Sequence, residues 1–308
     1  MFRMSNMKKI IIHEVGLRDG LQMEKQTVPL EQKIEWIRKL LTSGVDIIQL
    51  GSFVHPLKVP QLADTDQLFK YFNKPENKAG SVVLSALILN EKGFERGEVC
   101  GVEMYNMGVS ASETHSMKNS GMTITEATQR IIGIAKNVID AGKLVQVSVQ
   151  SAFGCGFEGE IKEEKVLAIV KEYINAGIKN ITLADTAGHA VPDQVSKLFD
   201  SLNKLDSSIV WGTHFHNTYG MGIANCYAAL KAGVTYFESS VAGLGGCPYT
   251  KVAAGNVCTE DFVHSLKRSG YGNNIDLSKL IELAKDFSSF FNRELPGLVY
   301  KSGVIDYK

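Results

Sequence analysis

Two histidines stand one residue apart in Thr213-His214-Phe215-His216-Asn217-Thr218-Tyr219-Gly220, just after the apolar run Ile209-Val210-Trp211. Read as a strand end, this spacing turns both imidazoles to the same face. Side-by-side neutral imidazoles suit a divalent metal. A His-x-His pair alone is weak evidence, because single histidines often only satisfy a local hydrogen bond. Other residues give it weight. Asp19, in Gly16-Leu17-Arg18-Asp19-Gly20-Leu21-Gln22, offers a carboxylate, and Asn256, in Ala253-Ala254-Gly255-Asn256, an amide oxygen. Two nitrogens and two oxygens, with positions left for a substrate, suit a Lewis-acid metal of intermediate hardness. Softness alone favours Mn²⁺, Co²⁺ or Zn²⁺ over the oxygen-preferring Mg²⁺. A second stretch, Gly243-Leu244-Gly245-Gly246-Cys247-Pro248-Tyr249, combines glycine freedom with a thiol. Such a loop can move over a ligand, and Cys247 near a cationic site is a proton donor or nucleophile. The bland alternative is a linker carrying an incidental thiol.

These residues need elements to hold them. Lys9-Ile10-Ile11-Ile12-His13-Glu14-Val15 reads as a first strand, and Pro29 opens an amphipathic helix to Thr42. Strands follow at Val45–Leu50, Ser81–Leu89, Gly101–Val109, Leu144–Val149, Asn180–Ala184, the double-histidine stretch and Thr235–Val241. Helices are expected at Thr123–Ala141, Glu163–Ala176, Pro192–Leu205 and Asn217–Ala232. Eight strands alternating with helices is the pattern of a (β/α)₈ TIM barrel, an α/β fold. A doubly wound sheet would want Gly-x-Gly-x-x-Gly after the first strand, and none is there. The whole chain, 1–308, is expected to be one domain, with residues 9–268 forming the barrel and its loops. Residues 269–308 form a helical extension, its helix Leu277–Phe291, packed outside the barrel or in an oligomer contact.

Composition excludes several classes. The 33 basic and 33 acidic residues cancel, so no global field draws the chain to nucleic acid or a membrane. Apolar runs are far short of a bilayer span, and the start shows no cleavable signal pattern. Five cysteines without Cys-x-x-Cys point to reduced thiols and a cytoplasmic setting. Apart from Cys247 they read as small core residues, Cys155 less clearly because it sits at a strand end.

The polar residues Arg18, Asp19, Gln49, Asp185, His214, His216 and Cys247 all fall at or just past carboxyl ends of expected strands. In a TIM barrel those ends share one rim, where active sites lie. Structural roles suit Ser112, Glu113 and His189 better.

At this point the sequence resembles the hydroxymethylglutaryl-CoA lyases, metal-dependent lyase and aldolase barrels named for an Asp-Arg-Glu set. The resemblance is carried by Val15–Gln22, Ser52-Phe53-Val54, Gly154–Gly159, Ala184-Asp185-Thr186, His214–Gly220 and Ser239–Tyr249, in the family's order from Lys9 to Arg268. It implies that Asp19, His214, His216 and Asn256 hold Mg²⁺ or Mn²⁺, which grips the substrate's tertiary hydroxyl and carboxylate. It also implies that Asp185, or a histidine such as His214 working with it, removes the hydroxyl proton. Arg18 would stabilise the enolate oxygen and Cys247 would return a proton to carbon. Gln22, Lys25 and Glu260 match positions near the substrate. The implied products are acetoacetate and acetyl-CoA, in leucine degradation and ketone-body formation, by a homo-oligomer, a dimer, acting on acyl-CoA.

Two positions depart from the family. Gln49 stands where Glu is expected, and Asn217 where Asp usually follows the second histidine. Two carboxylate-to-amide changes leave the site about two charge units more positive. Three readings follow: a hydroxymethylglutaryl-CoA lyase, a related lyase or aldolase on another 3-hydroxy-acyl-CoA or 2-oxo acid, and a metal- or CoA-binding homologue of low turnover.

Overall fold

The computed structural model describes residues 9–77, 80–246, 255–271 and 274–305. Eight parallel strands close into a barrel in sequence order: β1 (Ile11–Glu14), β2 (Ile47–Ser52), β3 (Val83–Leu87), β4 (Met104–Ser110), β5 (Leu144–Gln150), β6 (Asn180–Asp185), β7 (Val210–Phe215) and β8 (Tyr236–Ser239). Closure is made by β1 against β8, with His13 opposite Glu238. The TIM barrel expected from the alternating pattern is therefore what forms.

The helices are α1 (Leu30–Leu41), α2 (Thr65–Phe72), α3 (Glu91–Cys100), α4 (Glu113–Ser120), α5 (Ile124–Asp140), α6 (Glu163–Asn175), α7 (Pro192–Asn203), α8 (Gly222–Lys231), α9 (Thr259–Arg268), α10 (Leu277–Phe290) and α11 (Val299–Ser302). Local chemistry fixes their starts. Thr123 and Glu126 form a capping box on α5, and the Ser112 hydroxyl accepts from His115 N–H at α4. The structural roles expected for Ser112 and Glu113 fit this, since the Glu113 carboxylate accepts from Ile124 N–H. Gly101, expected in the fourth strand, instead ends α3 at φ +72°, so the strand begins at Met104.

One end of the barrel interior is closed by Ile47, Met104 and Tyr236, with Ile11 and Val83 against them. These come from β1, β2, β3, β4 and β8, and residues of non-adjacent strands meet only across the axis. Outside, the extension packs on its own barrel: Trp36 of α1 lies 4.0 Å, centroid to centroid, from Phe287 of α10. Among the described residues no helix is long and apolar enough to cross a membrane.

Candidate active site

Asp19 is delivered by the turn after β1. Residues Gly16–Gly20 wind into a single π-helical turn, with Arg18, Asp19 and Gly20 N–H all directed at Val15 C=O. The sequence pattern suggested only a charged turn. The wide winding places Arg18 and Asp19 together at the mouth, where Arg18 Nη1 donates to Asp19 Oδ1 at 2.5 Å. Gln22, one turn on, donates to the same oxygen at 3.1 Å.

His214 is the penultimate residue of β7, and His216 lies just beyond it, in an isolated bridge with Asn256. The imidazole Nε2 atoms of His214 and His216 lie 3.8 and 3.7 Å from Asp19 Oδ2. All three side chains are buried, and their ligand atoms lie within 4.8 Å of one another. Asn256 Nδ2 donates to Asp19 Oδ2 at 2.8 Å.

The donor set fits a cation. His216 Nδ1 is held by the carbonyls of Asp185 and Thr186 at 3.1 and 3.0 Å, so it carries a proton and turns Nε2 toward Asp19. That Nε2 and Asn256 Oδ1 are both buried without a hydrogen-bond partner among the described residues. Two unpaired polar atoms beside a carboxylate cost free energy unless something positive joins them. Burial alone would push Asp19 upward, but the Arg18 guanidinium and both imidazoles outweigh it and hold its carboxyl well below the usual range. The fourth donor is steered by Gly245, at φ +110°, where a Cβ would strike the Asn256 amide.

A second cluster, Cys258, Glu260 and Asp261, also falls within 4.8 Å. Its oxygens are largely committed. Asp261 accepts from Leu298 and Val299 N–H, and Glu260 Oε2 from Ala242 N–H at 3.1 Å, while Glu260 Oε1 is buried without a hydrogen-bond partner among the described residues. Glu260 is thus fully buried beneath the Val241–Gly243 turn, supporting Ala242 at φ +57°, rather than lining the open mouth. Burial pushes its carboxyl up to about 8.

The remaining expected residues fall as follows. Gln49 is buried, and its Oε1 accepts from Arg18 Nε, so the amide keeps the contact a glutamate would make. The Asn217 side chain is exposed and accepts from Gly222 N–H at 2.9 Å, starting α8 five residues later than the sequence suggests. Its missing charge falls on a helix N-terminus, not on the cation's seat. Asp185 is buried with both oxygens on backbone N–H groups, those of His189 and Ala190, and burial raises its carboxyl. His189 sets its ring beside Tyr219. Lys25 lines an open groove of about 470 Å³ with Gly243, Gly245 and Arg293. Cys247 lies outside the described residues.

Sequence reasoning missed Glu238, whose Oε2 lies 2.7 Å from His214 Nδ1. Burial would raise its carboxyl, but the imidazoles of His13 and His214 outweigh that and lower it. The alternation of β8 could have found it: Glu238 lies directly opposite His214 in the strand register.

Fold and site define a TIM barrel with a cation-binding mouth, and its relatives are carbon–carbon lyases. The HMGL-like family model matches residues 9–287, and the chain belongs to that family. It is 34% identical to the (R)-citramalyl-CoA lyase of Chloroflexus aurantiacus, over 97% of this chain and 96% of that one. It is 35% identical to the hydroxymethylglutaryl-CoA lyase of Pseudomonas mevalonii, over 95% and 97%. Among solved structures, an HMG-CoA lyase from Acinetobacter baumannii in complex with coenzyme A and 3-methylmalate superposes with a TM-score of 0.90 at 35% identity, covering 97% of each chain.

Proposed function

We propose that this protein cleaves 3-hydroxy-3-methylglutaryl-CoA to acetoacetate and acetyl-CoA, using Mg²⁺ or Mn²⁺ held by Asp19, His214, His216 and Asn256. The observation that carries the reading is the convergence of the His214 and His216 Nε2 atoms on the Asp19 carboxylate, beside a guanidinium, with the Asn256 amide donating to the same oxygen. The bound cation supplies a Lewis acid for the substrate's hydroxyl and carboxylate oxygens.

The chain's own residues do the rest. Asp185 takes the hydroxyl proton; each of its oxygens has a lone pair beyond the one given to backbone, and its raised proton affinity suits a base. The C2–C3 bond then breaks, its electron pair passing to the thioester as an enolate. Arg18 is held by Gln49 through Nε and by Asp19 through Nη1, and its guanidinium would stabilise the enolate oxygen by charge and hydrogen bonding. Cys247 delivers the proton that turns the enolate carbon into the methyl group of acetyl-CoA. Gln22 keeps Asp19 oriented, and the groove bearing Lys25 suits the anionic CoA phosphates, with Arg293 there paired to Glu24.

A second substrate is favoured by the similarity to a citramalyl-CoA lyase. Citramalyl-CoA carries the same tertiary carbinol, with its carboxylate one methylene closer, and would give pyruvate with acetyl-CoA. One methylene is worth about 1–3 kcal/mol of discrimination, so kcat/KM should separate the two clearly. The test is to incubate the protein with each thioester and Mg²⁺ or Mn²⁺, and to assay acetoacetate and pyruvate with and without chelator. Acetoacetate formation abolished by chelator is expected. Pyruvate as the main product would move the assignment to the shorter substrate, and neither product with either metal would overturn it.

A further inference from the structure

TIM-barrel interiors are ordinarily filled by branched aliphatic side chains. Here the layer beneath the mouth is polar: His13, Ser85, Asn106, Gln146, Thr182 and Glu238 are all buried. Burying so many polar groups is tolerated only when they satisfy one another. All but Asn106 Oδ1, which has no partner among the described residues, are paired, and with a fixed direction. Glu238 accepts on Oε2 from His214 Nδ1 at 2.7 Å and on Oε1 from Gln146 Nε2 at 2.8 Å. Gln146 belongs to β5 and Glu238 to β8, so this bond crosses the barrel axis. Gln146 is itself locked, its Oε1 accepting from Asn106 and its Nε2 also reaching the Thr182 hydroxyl. Behind Glu238 stands His13, 3.6 Å from Oε1, with its ring bonded to Tyr236 and Ser85 at 2.8 Å each.

A carboxylate can only accept, so the proton between Glu238 and His214 sits on Nδ1 of the imidazole. His214 Nε2, 3.8 Å from Asp19 Oδ2, is then the ring nitrogen that would face a cation once its own proton is displaced, and the anion behind the ring strengthens it as a ligand. The two histidines differ in this respect. His216 is set by main-chain carbonyls, which no side-chain change removes. His214 is set by a side chain that the barrel interior holds from the opposite wall.

We propose that Glu238 is the positioning residue for His214 and that Gln146 holds it across the barrel axis, so that part of the cation affinity is set inside the barrel rather than at its rim. This rests on the divalent-cation reading above.

Mn²⁺ titration of the purified full chain, followed by the electron paramagnetic resonance of free Mn²⁺, tests it without turnover. Glu238→Gln should weaken Mn²⁺ binding about 10–100-fold, the usual cost of losing such a partner. Glu238→Asp, which keeps the charge and acceptor, should rescue most of that loss. Metal-free thermal unfolding of both variants should stay near that of the wild type. Mn²⁺ affinity of folded Glu238→Gln within twofold of wild type would overturn the inference. A wild type that binds no Mn²⁺ would instead remove the cation reading beneath it. Should Glu238→Gln fail to fold, ¹⁵N-histidine spectra of the metal-free wild type decide. His214, identified by the signal lost in His214→Asn, is expected to carry a proton on Nδ1, and a ring protonated on Nε2 alone overturns the proposal.

Discussion

Arg18 donates through Nε to the side-chain oxygen of Gln49, so the guanidinium at the mouth is oriented by a neutral amide. Geometry is kept where a glutamate would add charge. Removing the acceptor should therefore matter more than changing its charge. Gln49→Leu leaves a half-buried Arg18 N–H without its partner, at a cost of about 1 kcal/mol or more. Its kcat should fall about 10–100-fold, whereas Gln49→Glu should stay within about tenfold of wild type. Steady-state acetoacetate assays of the two variants check this.

Arg18 itself is expected to act in the transition state. Arg18→Gln should lower kcat about 10²–10³-fold, the loss typical of one oxyanion donor, with Mn²⁺ affinity little changed. Parallel kinetics and metal titration separate these effects. A lost metal site with an equal fall in activity would show that Arg18 serves to hold Asp19.

Cys247→Ser should leave metal binding unchanged and reduce turnover. A hydroxyl is a far weaker acid than a thiol, so the enolate would wait longer for its proton. Solvent deuterium exchange into released acetyl-CoA, compared between wild type and variant, reads that step.

Much of this arrangement was legible in the sequence. Runs such as Ile10–Ile12 and Val45–Leu50 carry a strand signal because burial on both sides demands branched apolar residues. Once eight such runs alternate with helices, the barrel puts Asp19, His214 and His216 on one rim. Less was legible where packing is done by small residues. Helix α3 buries Gly93, Gly97 and Cys100, so it lacks the apolar stripe that marked α5. The charge count at the site was also incomplete. Glu238 reads as a mid-strand residue, and only the register against β7 shows it beside His214. The start of α8 was misplaced because Asn217 looks like helix sequence, while Gly220 at φ +76° still belongs to the preceding turn.

Two buried carboxyls support the turn from which the cysteine loop departs. Glu14 accepts from Val241 N–H and Glu260 from Ala242 N–H, and burial raises them to about 7 and about 8. Raised values mean that the folded state holds protons the unfolded chain has released. The stabilisation is full below the ordinary value of 4.5 and is lost as pH rises through about 7 and 8. The Tm should fall by roughly 2 °C per pH unit for each group across that window. Glu260→Gln should remove its part of the slope. A Tm profile of the variant parallel to the wild type would refute the assignment.

The cation site carries the account, and diffraction from crystals soaked in Mn²⁺, recorded at the manganese edge, tests it most directly. One strong anomalous peak is expected in bonding contact with Asp19, His214, His216 and Asn256. A peak at Cys258, Glu260 and Asp261 with none at the barrel mouth, or no peak at all, would contradict it.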